Sequence, residues 1–369
     1  MSSASLSSHW NKIQRNLFPG LNESLGPLSD KQMQLVNAVE MIRFEQFIKA
    51  QPRGPGRPAI DRISMAIAFL AKSIYQLSTT EMLIDRLKAD IVLRRICGLS
   101  RKDQIPDRAT FSRAFSELSR SDLLTIAHGM LIQQYYADEL VCHASTDATM
   151  VEGREKIAKK ETTLKKQESK KRGRPRKGEQ EALEPKGPTR LEKQSAGMSL
   201  QAMLADLPKQ ADVGCKRNSQ GYAEVWRGYK FHMTSGDGQV PLSCILTSAS
   251  VHDSQVALPL MKMTENRVDY LYDLMDAAYD SRDIRIYSLM AGRKPLIDLN
   301  ARGADRAPFA PHEAQRYKAR STAERVNGRL KDEFGGRNVY VRGHAKVMAH
   351  LMFGILALTV DQLIRLVAT

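Results

Sequence analysis

The stretch LVCHASTDATM, Leu140 to Met150, decides the architecture. Its β-branched and small residues make it the first convincing strand, after a third of the chain that reads as helix. Asp147 sits inside it, although aspartate is poorly suited to a strand interior. It reads either as a strand-end or turn residue or as a side chain kept for chemistry. Its partners have to come from elsewhere in the chain.

Downstream, YAEVWRGYKFHMTS (Tyr222–Ser235) alternates as a strand, Gly236-Asp237-Gly238 turns the chain, and VPLSCILTSA (Val240–Ala249) returns. His252-Asp253 lies in a loop before a helix over Ser254–Thr264. Tyr270–Met275 is a strand ending in Asp276-Ala277-Ala278-Tyr279-Asp280. A helix (Arg282–Met290), a strand (Lys294–Leu299) and a last helix over Tyr317–Lys331 follow. The order is β-β-β-α-β-α-β-α. Three strands in an antiparallel meander followed by αβ units predict a mixed sheet in an α/β domain. In that topology the first and fourth strands are neighbours, which brings Asp147 near Asp276.

The Tyr317–Lys331 segment, YKARSTAERVNGRLK, carries one acid among bases. At 100° per residue, Arg320, Glu324 and Lys331 lie about −60°, −20° and −40° from Tyr317, within one arc. Ala323, Val326, Leu330 and Phe334 form a neighbouring apolar arc. A solvated face explains the charges. It does not explain a lone carboxylate between a Tyr-Arg pair and a Lys, which suits a metal ligand beside a phosphate backbone.

Upstream, residues 1–137 read as nearly all helix. Ser29-Asp30 caps a helix to about Ile48, PRGPGRP (Pro52–Pro58) breaks it, and Ile63–Tyr75 is apolar. A helix opened by Ser78-Thr79-Thr80-Glu81 runs to Cys97-Gly98. Asp107 then caps RATFSRAFSEL, whose buried side is Phe111, Ala114, Phe115 and Leu118. Arg108, Thr110, Ser112 and Arg113 point away from that side, as in a helix-turn-helix reader of DNA or in a packing helix of a dimerisation module. Arg53-Gly54 and Gly56-Arg57-Pro58 suit phosphate contacts or a rigid turn.

Between these parts the composition changes. No aromatic residue occurs between Tyr136 and Tyr222, and Arg154–Lys193 holds 15 Lys or Arg against 7 Glu. Residues 152–215 are therefore expected to be a basic, largely disordered insertion. Within it, Lys170 to Lys177 (KKRGRPRK) resembles an AT-hook, whose Arg172 and Arg174 would enter a narrow minor groove.

The 369 residues carry 56 Lys or Arg against 41 Asp or Glu, a formal charge of +15 and a pI near 9.6. Such an excess points to a polyanionic partner. Four scattered cysteines argue against a zinc site or a disulfide framework and fit a reducing compartment. The N-terminus has no apolar secretory core. Val347–Val360 is too short to span a bilayer and reads as a buried helix. The expected location is cytoplasmic, with no membrane partner.

Together these residues resemble the RNase H-like DDE transposases of bacterial insertion sequences, in the branch with the signature Y-x2-R-x3-E-x6-K. Tyr317, Arg320, Glu324 and Lys331 match its four positions. Asp276-Ala277-Ala278-Tyr279-Asp280 resembles the family's second-aspartate motif. Trp226 to His232 resembles its second strand, and His252-Asp253 the loop after the meander. GRPAID (Gly56–Asp61) through PDRATFSR looks like the amino-terminal domain of the insertion-sequence-five and eleven-eighty-two groups.

The resemblance implies an RNase H-like mixed sheet with flanking helices over residues 138–369, preceded by an all-α, helix-turn-helix-like DNA-binding or dimerisation domain over 1–137. It implies that Asp147, Asp276 and Glu324 hold two Mg²⁺ (or Mn²⁺), while Tyr317, Arg320 and Lys331 bind DNA phosphate. Asp273 and Asp280 are alternatives to Asp276. Trp226 is read as core, His143 as a structural residue beside Asp147, and His252 as fixing its loop or orienting DNA. The implied partners are the element's terminal inverted repeats, target DNA and a second copy of the chain. Only 48 positions separate Asp276 from Glu324, which leaves no room for the β-rich insertion that some relatives use in hairpin processing. A structure-specific nuclease with the same triad, or a non-catalytic DNA-binding derivative, are the competing readings.

Overall fold

The computed structural model describes residues 3–49, 60–136, 139–157, 187–217, 220–300 and 308–368. The AT-hook-like Arg172 and Arg174 and the PRGPGRP segment lie outside the described residues.

Six strands form one mixed sheet: β1 Val141–Glu152, β2 Asp212–Arg217, β3 Ala223–Ser235, β4 Pro241–Ser248, β5 Tyr270–Met275 and β6 Lys294–Ile297. β3 pairs antiparallel with β1, β2 and β4, while β5 pairs parallel with β1 and with β6. The order β4-β3-β1-β5-β6 is a meander followed by parallel additions, as the element order predicts, and it is RNase H-like. β2 is the extra strand, on the first half of β3. Where β1, β2 and β3 meet, Gly228 has φ +140°, and a Cβ there would lie 2.2 Å from the Gly153 nitrogen. Only glycine allows that approach.

Part of the expected disordered insertion is folded. Residues 187–217 contain helices Arg190–Ser195 and Leu200–Asp206 as well as β2. Met203 and Leu207 are buried, with Leu191, Leu200 and Leu204 packed nearby, in clusters with the helix Ser254–Glu265. Sparse apolar residues at helical spacing are enough to dock this segment, and the neighbouring lysines obscure that spacing in the composition.

The amino-terminal helices differ from the sequence reading at their ends. Ser29 and Gln32 form a capping box, but the helix Asp30–Ile42 stops at Arg43, whose φ of 53° is left-handed. The segment from Ser78 to Cys97 is two helices, Thr80–Ala89 and Ile91–Ile96. Asp90 caps the second by accepting from the Leu93 N–H at 2.9 Å.

Asp107 caps the helix Arg108–Arg120, accepting from the Thr110 N–H at 2.7 Å. Asp107→Ala is expected to cost about 1 kcal/mol in a denaturant titration, the usual worth of such a cap. An unchanged midpoint would mean that the cap contributes nothing.

The last helix is longer than its apolar run. It spans His344–Ala368 because Asp361, which looks like a stop, is paired with Arg329 at 2.5 Å and Arg365 at 2.9 Å. By length and composition it is the one described helix that meets the measure of a membrane span. It instead runs through the helical layer. Its Phe353 ring lies 5.8 Å from Phe69, 6.3 Å from Phe115 and 6.4 Å from Phe44. One apolar core therefore joins Phe69 and Phe111 of the amino-terminal helices, Phe353, and Ala144, Phe231 and Leu246 of the sheet.

Candidate active site

Parallel pairing of β1 with β5 sets Ser145 opposite Leu274. Asp147 lies two residues beyond Ser145 on β1 and Asp276 two beyond Leu274, just past the end of β5, and the charge of Asp276 acts on Asp147. Asp276 opens a short turn of helix over Ala277–Tyr279 and accepts from the Ala278 N–H at 2.9 Å. These two acids are brought together by strand pairing itself. Asp273 and Asp280 are engaged elsewhere. Asp273 is fully buried, accepting from the Ser288 hydroxyl at 2.6 Å with Arg293 at 3.4 Å, while Asp280 pairs with Arg285 at 2.9 Å.

The Tyr317–Lys331 segment is not one continuous helix. A helix Pro311–Tyr317 passes through a tighter turn, Lys318–Arg320, into the helix Ser321–Glu333. Two tertiary hydrogen bonds hold the junction against the sheet. The Tyr317 hydroxyl donates to the Met275 carbonyl at 3.1 Å, and the Ser145 hydroxyl donates to the Ala319 carbonyl at 3.2 Å. The single hydroxyl proton of Tyr317 is thus directed to the strand residue before Asp276, and in this arrangement it does not point to a phosphate.

Glu324, in the first turn of the helix Ser321–Glu333, has its side chain 54% exposed and forms an ion pair with Arg320. The Arg320 guanidinium also feels Asp147 and Asp276. Burial works against its charge, but Glu324, Tyr317 and Asp147 outweigh that and keep it firmly protonated. Among the described residues no three His, Cys, Asp or Glu side chains are gathered closely enough to hold an ion as they stand. Asp147 and Asp276 are together, whereas Glu324 faces Arg320.

Both aspartates resist ionisation. Burial first, then the Asp276 charge, pushes Asp147 up to about 6, against the Ala148 backbone N–H, the Asn327 amide and Arg320. Burial also raises Asp276, joined by the charges of Asp253 and Asp298 and opposed by the Ala278 N–H and Arg320. Lys331 is half-buried on the same helix. Burial lowers its pKa first, helped by Lys216 and Arg337, while Asp147 pulls the other way. A basic group on β2 therefore stands near the acid site.

Asn327 and Asp298 of this site are absent from the sequence reading, which has Asp253 only as part of its loop. Asn327 donates from Nδ2 to Asp147 Oδ2 at 3.0 Å. Its position three residues after Glu324, one helical turn, is the signal that could have found it. Asp253 accepts from Lys230 Nζ at 2.9 Å, and Asp298 follows β6. The remaining candidates are structural or lie elsewhere. His143 pairs with Asp237 at 2.9 Å, Trp226 is buried and donates to the Tyr229 carbonyl, and His252 bonds Ser254 within its own loop. Arg108, Thr110, Ser112 and Arg113 lie on the outer side of the helix Arg108–Arg120 in the helical layer. Arg108 is 76% exposed and pairs with Glu81 at 2.6 Å, while Arg113 donates to Thr110.

A sheet of this order, with one acid inside β1 and another just past the end of the neighbouring parallel strand β5, is that of an RNase H-like domain. The family model of the Transposase DDE domain matches residues 142–360, and that of a Transposase domain matches residues 23–117. The chain belongs to the DDE transposase family. No curated protein and no solved structure matches it.

The family uses divalent metal ions, and the donor set here fits them. Two carboxylates of raised pKa sit side by side, with a third one turn of helix from Arg320. A hard dication prefers oxygen ligands and would offset the burial, and after it the repulsion, that now disfavour their ionised forms.

Proposed function

We propose that the chain is the transposase of an insertion sequence, of the branch marked by Tyr317, Arg320, Glu324 and Lys331. It binds the element's terminal inverted repeats, cleaves DNA at their ends and joins the freed 3′-OH to target DNA. What supports this reading is the pairing of β1 with β5, which brings Asp147 near Asp276, with Arg320 acting on both and carrying Glu324 as its ion-pair partner.

Asp147, Asp276 and Glu324 would hold two Mg²⁺ or Mn²⁺ ions, which supply activation of the attacking oxygen and stabilisation of the leaving oxygen. The chain's own groups do the rest. Arg320, now neutralised by Glu324, turns to a DNA phosphate and leaves the glutamate free as a ligand. Lys331 and Lys216 add positive charge along the same path. Tyr317 holds the end of β5, and with it Asp276, in place. The face bearing Arg108, Thr110, Ser112 and Arg113 follows the repeat, and pairing of two element ends calls for at least a dimer.

Among the described residues between Asp276 and Glu324 there is no β-rich insertion of the kind some relatives use in hairpin processing. The test is an integration assay with the full chain, Mg²⁺ and a pre-cut duplex ending in the inverted repeat that flanks the gene. Joined product is expected from wild type, and none from Glu324→Gln, which should bind the same ends. Hydrolysis without joined product would replace this reading with a nuclease. Binding without nicking would replace it with a DNA-binding protein.

A further inference from the structure

Glu324 and Asn327 lie on one side of the helix Ser321–Glu333 but in opposite surroundings. The glutamate side chain is largely exposed, whereas Asn327 is 5% exposed, among the buried Ala323, Val326 and Leu330. An amide in such a place loses its hydration, and here only half of that loss is made good. Nδ2 donates to Asp147 Oδ2 at 3.0 Å, and Oδ1 is buried without a partner. A leucine would fill the same space with no unmet polar atom. The amide is thus costly as packing, and its one bond goes to the side chain of Asp147.

Asp147 itself sits in a strand that does not favour it. The side chains of Met233, its partner across β3, and of nearby Asp276 offer its carboxylate no donor. Asn327 is the neutral side chain that does. Unlike Arg320, which is tied to Glu324 and to the phosphate path, it can hold one oxygen of Asp147 in every charge state of the site. A carboxylate pinned at one oxygen has a set rotamer, and its remaining lone pairs have a set direction.

We propose that Asn327 is a positioning residue of the metal site, fixing Asp147 so that its carboxylate is presented to a divalent cation. This rests on Asp147 being a metal ligand. Asn327 acts through Asp147 and touches neither DNA nor the reacting atoms.

The experiment is a Mn²⁺ titration of the full chain without DNA, read by the electron paramagnetic resonance of free Mn²⁺. Asn327→Leu keeps the volume and removes the donor. It is expected to weaken Mn²⁺ binding about 10- to 100-fold, the usual effect of losing a group that orients a ligand. Its melting temperature in EDTA should stay within a few degrees of wild type, because the apolar side chain removes one unmet polar atom while Asp147 Oδ2 loses its donor. Cleavage should return at saturating Mn²⁺, which a misfolded site would not allow. Asn327→Leu that folds and binds Mn²⁺ like wild type, while Asp147→Asn does not bind, would overturn the role of Asn327 and leave the metal reading intact. Wild type that binds no more Mn²⁺ than Asp147→Asn would overturn the metal reading, and this inference with it. If Asn327→Leu does not fold, Asn327→Ser carries the same test. Its short arm leaves Asp147 Oδ2 unmet, and unchanged affinity in that variant would equally overturn the proposal.

Discussion

Asp147→Asn is expected to make the protein more stable at pH 7.5 and at the same time inactive. The two effects share one cause. Burial, reinforced by Asp276, pushes the Asp147 carboxyl up to about 6. The folded protein therefore holds that proton more tightly than the unfolded chain does. Stability is fullest below the ordinary aspartate range near 3.8, falls as pH rises through the interval up to about 6, and stays lowered above it. At roughly 1.4 kcal/mol per pKa unit, the ionised carboxylate costs on the order of 3 kcal/mol at neutral pH.

Asparagine removes that charge in nearly the same volume. In EDTA its melting temperature should exceed that of wild type by a few degrees at pH 7.5, and the gap should shrink at pH 4.5. Mg²⁺ should raise the wild-type value and not that of the variant. Metal-dependent cleavage should fall by about a thousandfold or more, since several kcal/mol of transition-state stabilisation go with the ligand. A variant less stable than wild type at pH 7.5, or a gap independent of pH, would show that the ionised carboxylate carries no such cost.

Phe353→Ala is expected to cost about 3–5 kcal/mol, the range for deleting a buried aromatic ring. The ring is 1% exposed and meets Phe44, Phe69 and Phe115 from three different amino-terminal elements. Because the same apolar core continues into β1 and β3, unfolding of the variant in urea should remain a single transition at a lower midpoint. Amide exchange in the helix Arg62–Ile74 should rise together with that in β3. A loss below about 1 kcal/mol would mean that the helical layer does not depend on this contact.

Much of the catalytic half was legible in the chain because its elements are short, apolar and sharply bounded. Tyr270–Met275 and Arg282–Met290 have the limits that their flanking polar residues suggest. The mixed order followed from three strands in a row and then alternation, and the nearness of Asp147 and Asp276 followed from the order. What was not legible depends on contacts between distant residues. The break at Lys318–Arg320 is held by Met275 and Ser145, which no periodicity within the segment can reveal. Asp90 looks like any exposed helical acid until its carboxylate is seen capping a second helix. Asn327 is a neutral polar residue whose partner lies 180 positions away. The folded part of 187–217 is hidden by its lysines, since charge dominates a composition even where a few leucines decide the packing.

The helix His344–Ala368 has a consequence for how the protein is made. It is the last described element to leave the ribosome, yet it fills the centre of a layer whose other helices emerge first. Throughout most of translation those helices, including the one bearing Arg108 and Arg113, lack the partner around which they pack. By the time it arrives, the strands and acids of the sheet have already been made. A partly synthesised chain therefore has a sheet before it has a finished helical layer, and the two halves of the core close together only when the last helix is in place.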